Sequence, residues 1–321
     1  MVFLPAQFLS FFFLIFGFGL LIKGADFLVE GGISLAKRYK IPNIVIGMTI
    51  VAIGTSAPEL VVNIISSLNG SGELAFGNVI GSNISNILLV LGISAIIYPL
   101  NVDRLTVLRD IPYSLVATVV CFFMVISSAF ITRIDGVILL VFFSYFLFYT
   151  FFNKNLGSQN LDVDEIKDVK VKRAVVSMSF IVLGILGLML GGKLVIDGAT
   201  QIAKSFGISE SIIGLTIVAI GTSLPELATS VVASLKKQTD IAIGNIIGSN
   251  IFNLLWILGL SAIIRPIKIS SFAYFDVTFA AMATLVLFLF LYTIKQYKLT
   301  RLHGILFLCL YLGYLLTMFV R

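Results

Sequence analysis

The chain carries one long phrase twice. "IGMTIVAIGTSAPELVV" at 46–62 returns as "IGLTIVAIGTSLPELAT" at 213–229. Adding 167 to any position from 46 to 97 reaches its counterpart without a gap, and 31 of those 52 positions are identical. The match fades outward but persists. "GADFLVEGGISLAKRYKI" at 24–41 parallels "GGKLVIDGATQIAKSFGI" at 191–208, and "TRIDG" at 132–136 parallels "TRLHG" at 300–304 after a one-residue shift. Self-similarity at a fixed offset means two copies of one structural unit. Whatever the first half folds into, the second must too.

Composition supplies the medium. With 59% hydrophobic and 12% charged residues, the chain has too little polar surface for water. A helical span takes about 20 apolar residues. Ten such stretches lie near 7–36, 43–67, 72–98, 110–130, 133–152, 174–204, 210–235, 239–264, 273–295 and 301–320. The expected fold class is an all-α polytopic membrane protein of ten transmembrane helices. The first half occupies 1–152, a polar cytoplasmic linker 153–173, and the second half 174–321. Five spans per half is an odd number, so the second half enters the membrane from the opposite face, and the two five-helix repeats are inverted. That architecture is typical of secondary transporters, whose sites form at the midplane from interrupted helices of both halves.

Orientation follows from Lys and Arg. Fifteen of them fall in loops on one side of this topology and five on the other. The positive-inside rule then puts both termini outside, in a cell membrane. The net charge of +6 reflects those loops, not a nucleic-acid partner. The N-terminus has no basic residue ahead of its apolar core and reads as a first span, not a cleaved signal. Cys121 and Cys309 lie inside apolar runs, which points away from a disulfide framework or a thiolate metal cluster.

The chemistry concentrates where the repeat is strongest. Pro58 has no N–H to donate, so the carbonyl of Gly54 loses its helical partner, and those of Ala52 and Ile53 are expected to be disturbed. Freed carbonyls at membrane depth are tolerated only against protein or a polar cavity. Thr55, Ser56 and Glu59 share one side of a helical turn, and Thr222, Ser223 and Glu226 repeat this beside Gly221 and Pro225. Eighteen residues after each Glu begins a second motif, "GNVIGSNISN" at 77–86 and "GNIIGSNIFN" at 244–253. It sets Asn78, Ser82 and Asn86 in one stripe, and Asn245, Ser249 and Asn253 in the other. Gly77, Gly81, Gly244 and Gly248 are expected to admit close helix contact. Ionisable residues within spans default to function. The set is all oxygen, which suits hard cations such as Ca²⁺ and Na⁺.

Paired "GTSxPE" and "GNxIGSN" segments resemble the α-repeats of Na⁺/Ca²⁺ exchangers in the cation/Ca²⁺ exchanger superfamily. The resemblance covers nearly the whole chain. It implies ion contacts from Thr55, Ser56, Glu59, Ser82 and Asn86, and from Thr222, Ser223, Glu226, Ser249 and Asn253, with the carbonyls of Ala52 and Ala219 adding oxygens. It also implies alternating access with Ca²⁺ and Na⁺ as substrates, no cofactor and no obligatory protein partner beyond the bilayer. K⁺-dependent relatives carry Asp where this chain has Asn253, so K⁺ co-transport is not expected. The short linker leaves no room for regulatory domains, as in a minimal prokaryotic exchanger.

Three other functions compete. Proton-coupled relatives tend to read "GNxxE" in place of "GTSxPE", so the hydroxyls favour Na⁺ over H⁺. A cation channel could use two acids and loose carbonyls, but channels gain symmetry around an axis normal to the membrane. A hydrolase would need a nucleophile with a base, and His303, the one His, sits near a loop end as a solvated residue. Lys23, Asp26, Glu30, Lys193 and Asp197 are expected to snorkel or pair locally.

Overall fold

The computed structural model describes residues 3–152, 171–206, 219–269, 273–293 and 297–320. The first half contains α1 (Phe3–Tyr39), α2 (Asn43–Thr55), α3 (Ala57–Leu68), α4 (Gly72–Ile97), α5 (Thr106–Ser127) and α6 (Arg133–Phe152). The second contains α7 (Ala174–Ser205), α8 (Ala219–Thr222), α9 (Leu224–Leu235), α10 (Thr239–Ile264), α11 (Ala273–Thr293) and α12 (Arg301–Val320).

Among the described residues, seven helices are long and apolar enough to cross a membrane, or eight if the bent pair α2–α3 counts as one span. The two further spans expected from sequence correspond to shorter apolar helices. One is α12; the other is α9, at the end of a stretch, 210–235, whose first part lies outside the described residues. The polar linker falls mostly outside them too.

Burial sorts the helices. In α4 and α10, 72% and 83% of the most apolar window is buried, against 28–44% in the other five long helices. These two therefore form the centre. The peripheral helices expose Phe12, Ile15, Ile134, Val141, Val175 and Leu183, apolar side chains suited to lipid.

Helix α1 runs antiparallel along α7, and glycine sets the distance. A Cβ on Gly24 would lie 2.8 Å from the Gly184 carbonyl, and one on Gly184 would lie 2.8 Å from the Gly24 carbonyl. Backbones this close leave no room for any side chain, as in other small-residue membrane crossings.

The two polar turns that end α3 and α9 are copies. Gly70 (φ 78°) and Lys237 (φ 58°) both adopt the left-handed conformation. Ser71 N–H donates to the Ser66 carbonyl and Gln238 N–H to the Ala233 carbonyl, each at 2.8 Å, the wrapping bond of a Schellman-type cap. Gly meets this geometry freely, whereas Lys237 adopts it at some conformational cost.

Four short strands were not evident in the sequence. β1 (Leu100–Asn101) pairs antiparallel with β4 (Lys298–Leu299), and β2 (Phe130–Ile131) with β3 (Ile267–Lys268). At the repeat offset β3 is the copy of β1, yet each pairs with a strand from the other half. The loop after α4 is thus tied to the loop before α12, and the loop after α5 to the loop after α10.

Candidate functional site

The break in α2–α3 falls at Ser56 (φ −83°, ψ 10°), where the chain bends by 47°. Ser223 (φ −83°, ψ 4°) repeats the break between α8 and α9. In each half the proline sits at the second residue of the following helix, where a missing N–H costs nothing. The proline therefore starts a new helix instead of leaving a hole in the old one. The acid follows one residue later, in the first turn, where the helix N-terminus favours negative charge.

Glu59 and Glu226 are 1% and 0% exposed, and Glu59 lies close enough to Glu226 to feel its charge. Their partners differ. Ser56 donates its hydroxyl to Glu226 Oε1 at 2.8 Å, crossing from the first half to the acid of the second. Ser249 reaches the same oxygen at 3.5 Å and the Ala52 carbonyl at 3.5 Å. Thr55 donates to Asn245 Oδ1 at 3.0 Å and lies 3.4 Å from Ser249 Oγ. The mirror contacts around Glu59 are not closed. Among the described residues neither Glu59 oxygen has a hydrogen-bond partner, nor do the hydroxyls of Ser82 and Ser223.

The Ala52 carbonyl, expected to be loosened, stays in the helical ladder by accepting from Ser56 N–H at 3.0 Å. It also accepts from the Thr55 hydroxyl at 3.2 Å, so it faces the cluster without being free. Ala219 opens α8 at the equivalent position. Thr222 is buried beside it.

Asn86 is the first residue of the π-helical stretch Asn86–Val90 in α4, and Asn253 the second residue of the stretch Phe252–Ile257 in α10. Such i→i+5 turns are rare and recur at functional sites. The oxygen of each side-chain amide lacks a partner. The second oxygen of Glu226 is also unpartnered. Seven of the buried oxygens that lack a donor among the described residues belong to the residues expected to contact ions: two from Glu59, one each from Glu226, Ser82, Ser223, Asn86 and Asn253. An unsatisfied buried polar atom costs about 1–3 kcal/mol, so a cluster of them needs a reason. A hard cation would supply one, because such ions bind several oxygens at once. Among the described residues no group of three His, Cys, Asp or Glu exists, so charge must come from two carboxylates alone.

The structure departs from several sequence expectations. Asn78 lies about 12 Å along the helix axis from Asn86, eight residues away, and cannot serve the same ion. It donates to Asn63 Oδ1 at 2.7 Å. Asn245 instead buttresses the site, donating to Ser230 at 3.0 Å and to the Glu226 carbonyl at 3.4 Å. Close approach at glycine is found on α10, where a Cβ on Gly248 would lie 2.4 Å from the Met48 carbonyl; for Gly77 and Gly81 the equivalent facing segment, 211–215, lies outside the described residues. Asp26 and Glu30 pair, one of the two expected outcomes, but with partners distant in the chain, Lys236 and Lys172, the latter at 2.7 Å. His303 is not a free loop residue. Its Nδ1 accepts Thr300 N–H at 3.2 Å, capping α12, and its ring stacks on Phe290. Sequence reasoning missed Asn83 and Asn250 altogether, although both stand inside the repeated "GSN".

Comparison with known proteins agrees with this picture. A family model described as "Sodium/calcium exchanger protein" matches residues 9–152 and 176–320. The chain is 38% identical to the putative antiporter CaxA of Alkalimonas amylolytica, covering 94% of this chain and 96% of that one. It is 30% identical to the sodium/calcium exchanger MaX1 of Methanosarcina acetivorans, over 97% and 98%. Among solved structures it resembles the sodium-calcium exchanger NCX_Mj with a TM-score of 0.81 and 35% identity, covering 95% of this chain and 96% of that one.

Proposed function

Since the chain belongs to the sodium/calcium exchanger family, we propose that it is an antiporter exchanging Na⁺ for Ca²⁺ across the cell membrane by alternating access, without K⁺. The observation that carries this reading is a set of seven buried oxygens from both halves, three of them on the two buried acids, that have no donor among the described residues. Two carboxylates neutralise one Ca²⁺. Hydroxyls, amide oxygens and the Ala52 and Ala219 carbonyls would complete the shell, and the same neutral oxygens would hold Na⁺ once Ca²⁺ has left. Ion contacts are assigned to Thr55, Ser56, Glu59, Ser82, Asn86, Thr222, Ser223, Glu226, Ser249 and Asn253.

The test is ⁴⁵Ca²⁺ uptake into vesicles holding the purified protein. An outward Na⁺ gradient at constant pH, with K⁺ absent, should drive accumulation, and a pH gradient alone should not. Uptake sustained by pH with no response to Na⁺ would establish the proton-coupled alternative.

The proposed topology is ten spans in two inverted repeats, with both termini outside. The antiparallel α1–α7 contact and the crossed strand pairs support it. β1 and β4 belong to loops assigned to the cytoplasm, β2 and β3 to loops assigned to the outside. Single cysteines at Ser71 and Lys237, in the two equivalent turns, should then react with impermeant thiol reagents from opposite sides. Labelling of both from one side refutes the inversion.

A further inference from the structure

We infer that Asn83 and Asn250 are positioning residues. They hold the amides of Asn86 and Asn253 with their oxygens toward the ion cluster, and they keep position 253 neutral. This rests on the proposed ion site and deepens it.

Four hydrogen bonds form a closed exchange between α4 and α10. Asn83 Nδ2 donates to the Asn250 carbonyl at 3.1 Å, and Asn250 Nδ2 returns the bond to the Asn83 carbonyl at 3.2 Å. Asn86 Nδ2 donates to Asn250 Oδ1 at 3.0 Å, and Asn253 Nδ2 to Asn83 Oδ1 at 3.1 Å. All four side chains are 3% exposed or less, so water does not compete for these bonds.

The exchange fixes which way each amide points. Turning Asn83 over would set its oxygen against the Asn250 carbonyl and its NH₂ against the NH₂ of Asn253. Acceptor would face acceptor and donor would face donor, and both groups would be left unsatisfied in a buried site. Asn83 and Asn250 are therefore held by the opposing backbone, and they in turn hold Asn253 and Asn86. What remains of the outer pair is its two donorless oxygens. A carboxylate at 253 would present only acceptors to Asn83 Oδ1, which cannot turn. The clamp thus accepts an amide there and rejects a third acid, leaving the cluster with the two charges of Glu59 and Glu226.

The experiment is ⁴⁵Ca²⁺ binding to the purified full-length protein in two double-mutant cycles. Asn83→Leu, Asn253→Ala and Asn86→Ala should each weaken binding about tenfold, roughly the loss of one aligned polar contact. Combining Asn83→Leu with Asn253→Ala should be no worse than the weaker single variant, because the positioned group is already gone. Combining Asn83→Leu with Asn86→Ala should multiply to about a hundredfold, since Asn86 is held by Asn250. Asn253→Asp should cost more in the wild-type background than beside Asn83→Leu. A general packing role predicts no such pairing. Multiplicative losses in both cycles would overturn the inference, as would wild-type affinity in Asn253→Ala while Glu59→Gln and Glu226→Gln lose binding. Binding retained in both Glu variants would instead reject the ion site itself, and the clamp with it. Should Asn83→Leu yield no folded protein, Asn83→Ser and the symmetric pair Asn250→Ser with Asn86→Ala run the same cycles.

Discussion

Glu59 and Glu226 stand in near-identical sequences, yet the structure treats them differently. Glu226 receives the Ser56 hydroxyl at 2.8 Å and has Ser249 within 3.5 Å. Neither Glu59 oxygen has a partner within hydrogen-bonding geometry among the described residues. The same imbalance runs outward. Asp26 and Glu30 on α1 are ion-paired, while their copies on α7, Lys193 and Asp197, have no ion-pair partner among the described residues and line a cavity of about 150 Å³ beside Pro58, Thr222 and Pro225. Among the described residues the two acids of one repeated sequence therefore stand in different surroundings. A protein at one end of an alternating cycle has this property, because each half must in turn adopt the other's shape.

If the difference is conformational, both acids remain indispensable. Glu59→Gln and Glu226→Gln are each expected to abolish Na⁺-driven ⁴⁵Ca²⁺ flux, by at least about a hundredfold, while the protein still purifies as a folded species. At an effective dielectric of about 20, one charge at 4 Å is worth roughly 4 kcal/mol to a monovalent partner and more to Ca²⁺. Flux surviving in one variant alone would make the asymmetry chemical.

Packing comes next. Gly248→Ala drives a methyl into the Met48 backbone and should destabilise the protein by about 1–3 kcal/mol, the usual cost of overpacking. Thermal unfolding in detergent measures it. An unchanged unfolding temperature would mean that α10 and α2 are not pressed together there.

A smaller contrast concerns the hydroxyls. In chelator-treated, Na⁺-free protein, Ser56→Ala removes a hydrogen bond to a buried acid and should cost about 1–3 kcal/mol. Ser223→Ala removes a hydroxyl without a partner and should change stability by less than about 0.5 kcal/mol. With saturating Ca²⁺ the two variants should converge, because the ion recruits both serines. Persistent divergence under Ca²⁺ would show that Ser223 is no ligand.

The least effect is expected at the ion pairs. Asp26 and Lys236 are each about a third exposed, and such pairs contribute at most about 1 kcal/mol. Lys236→Gln should leave the unfolding temperature nearly unchanged, and Lys193→Gln should do the same. A large loss in the first would make the α1 pairing a structural element of its own.

The sequence determined what is local or repeated. A 167-residue offset gives two units, an apolar composition gives helices in a membrane, and a proline beside an acid gives a broken helix with a charge at its new N-terminus. Each follows from chain chemistry that needs no neighbour. Tertiary structure decided the rest. The stripe through Asn78, Ser82 and Asn86 looks uniform on a helix, but position along the axis sends Asn78 to Asn63 and Asn86 to Asn250. Ser56 belongs by sequence to Glu59, one helical turn away, yet it serves Glu226, because the 47° bend turns it toward the other half. Asn83 and Asn250 read as interchangeable polar residues until α4 and α10 cross, since a reciprocal hydrogen bond exists only between two surfaces. One half's sequence prescribes its donors and acceptors. Only the packing of the two halves decides which of them meet and which stay open for an ion.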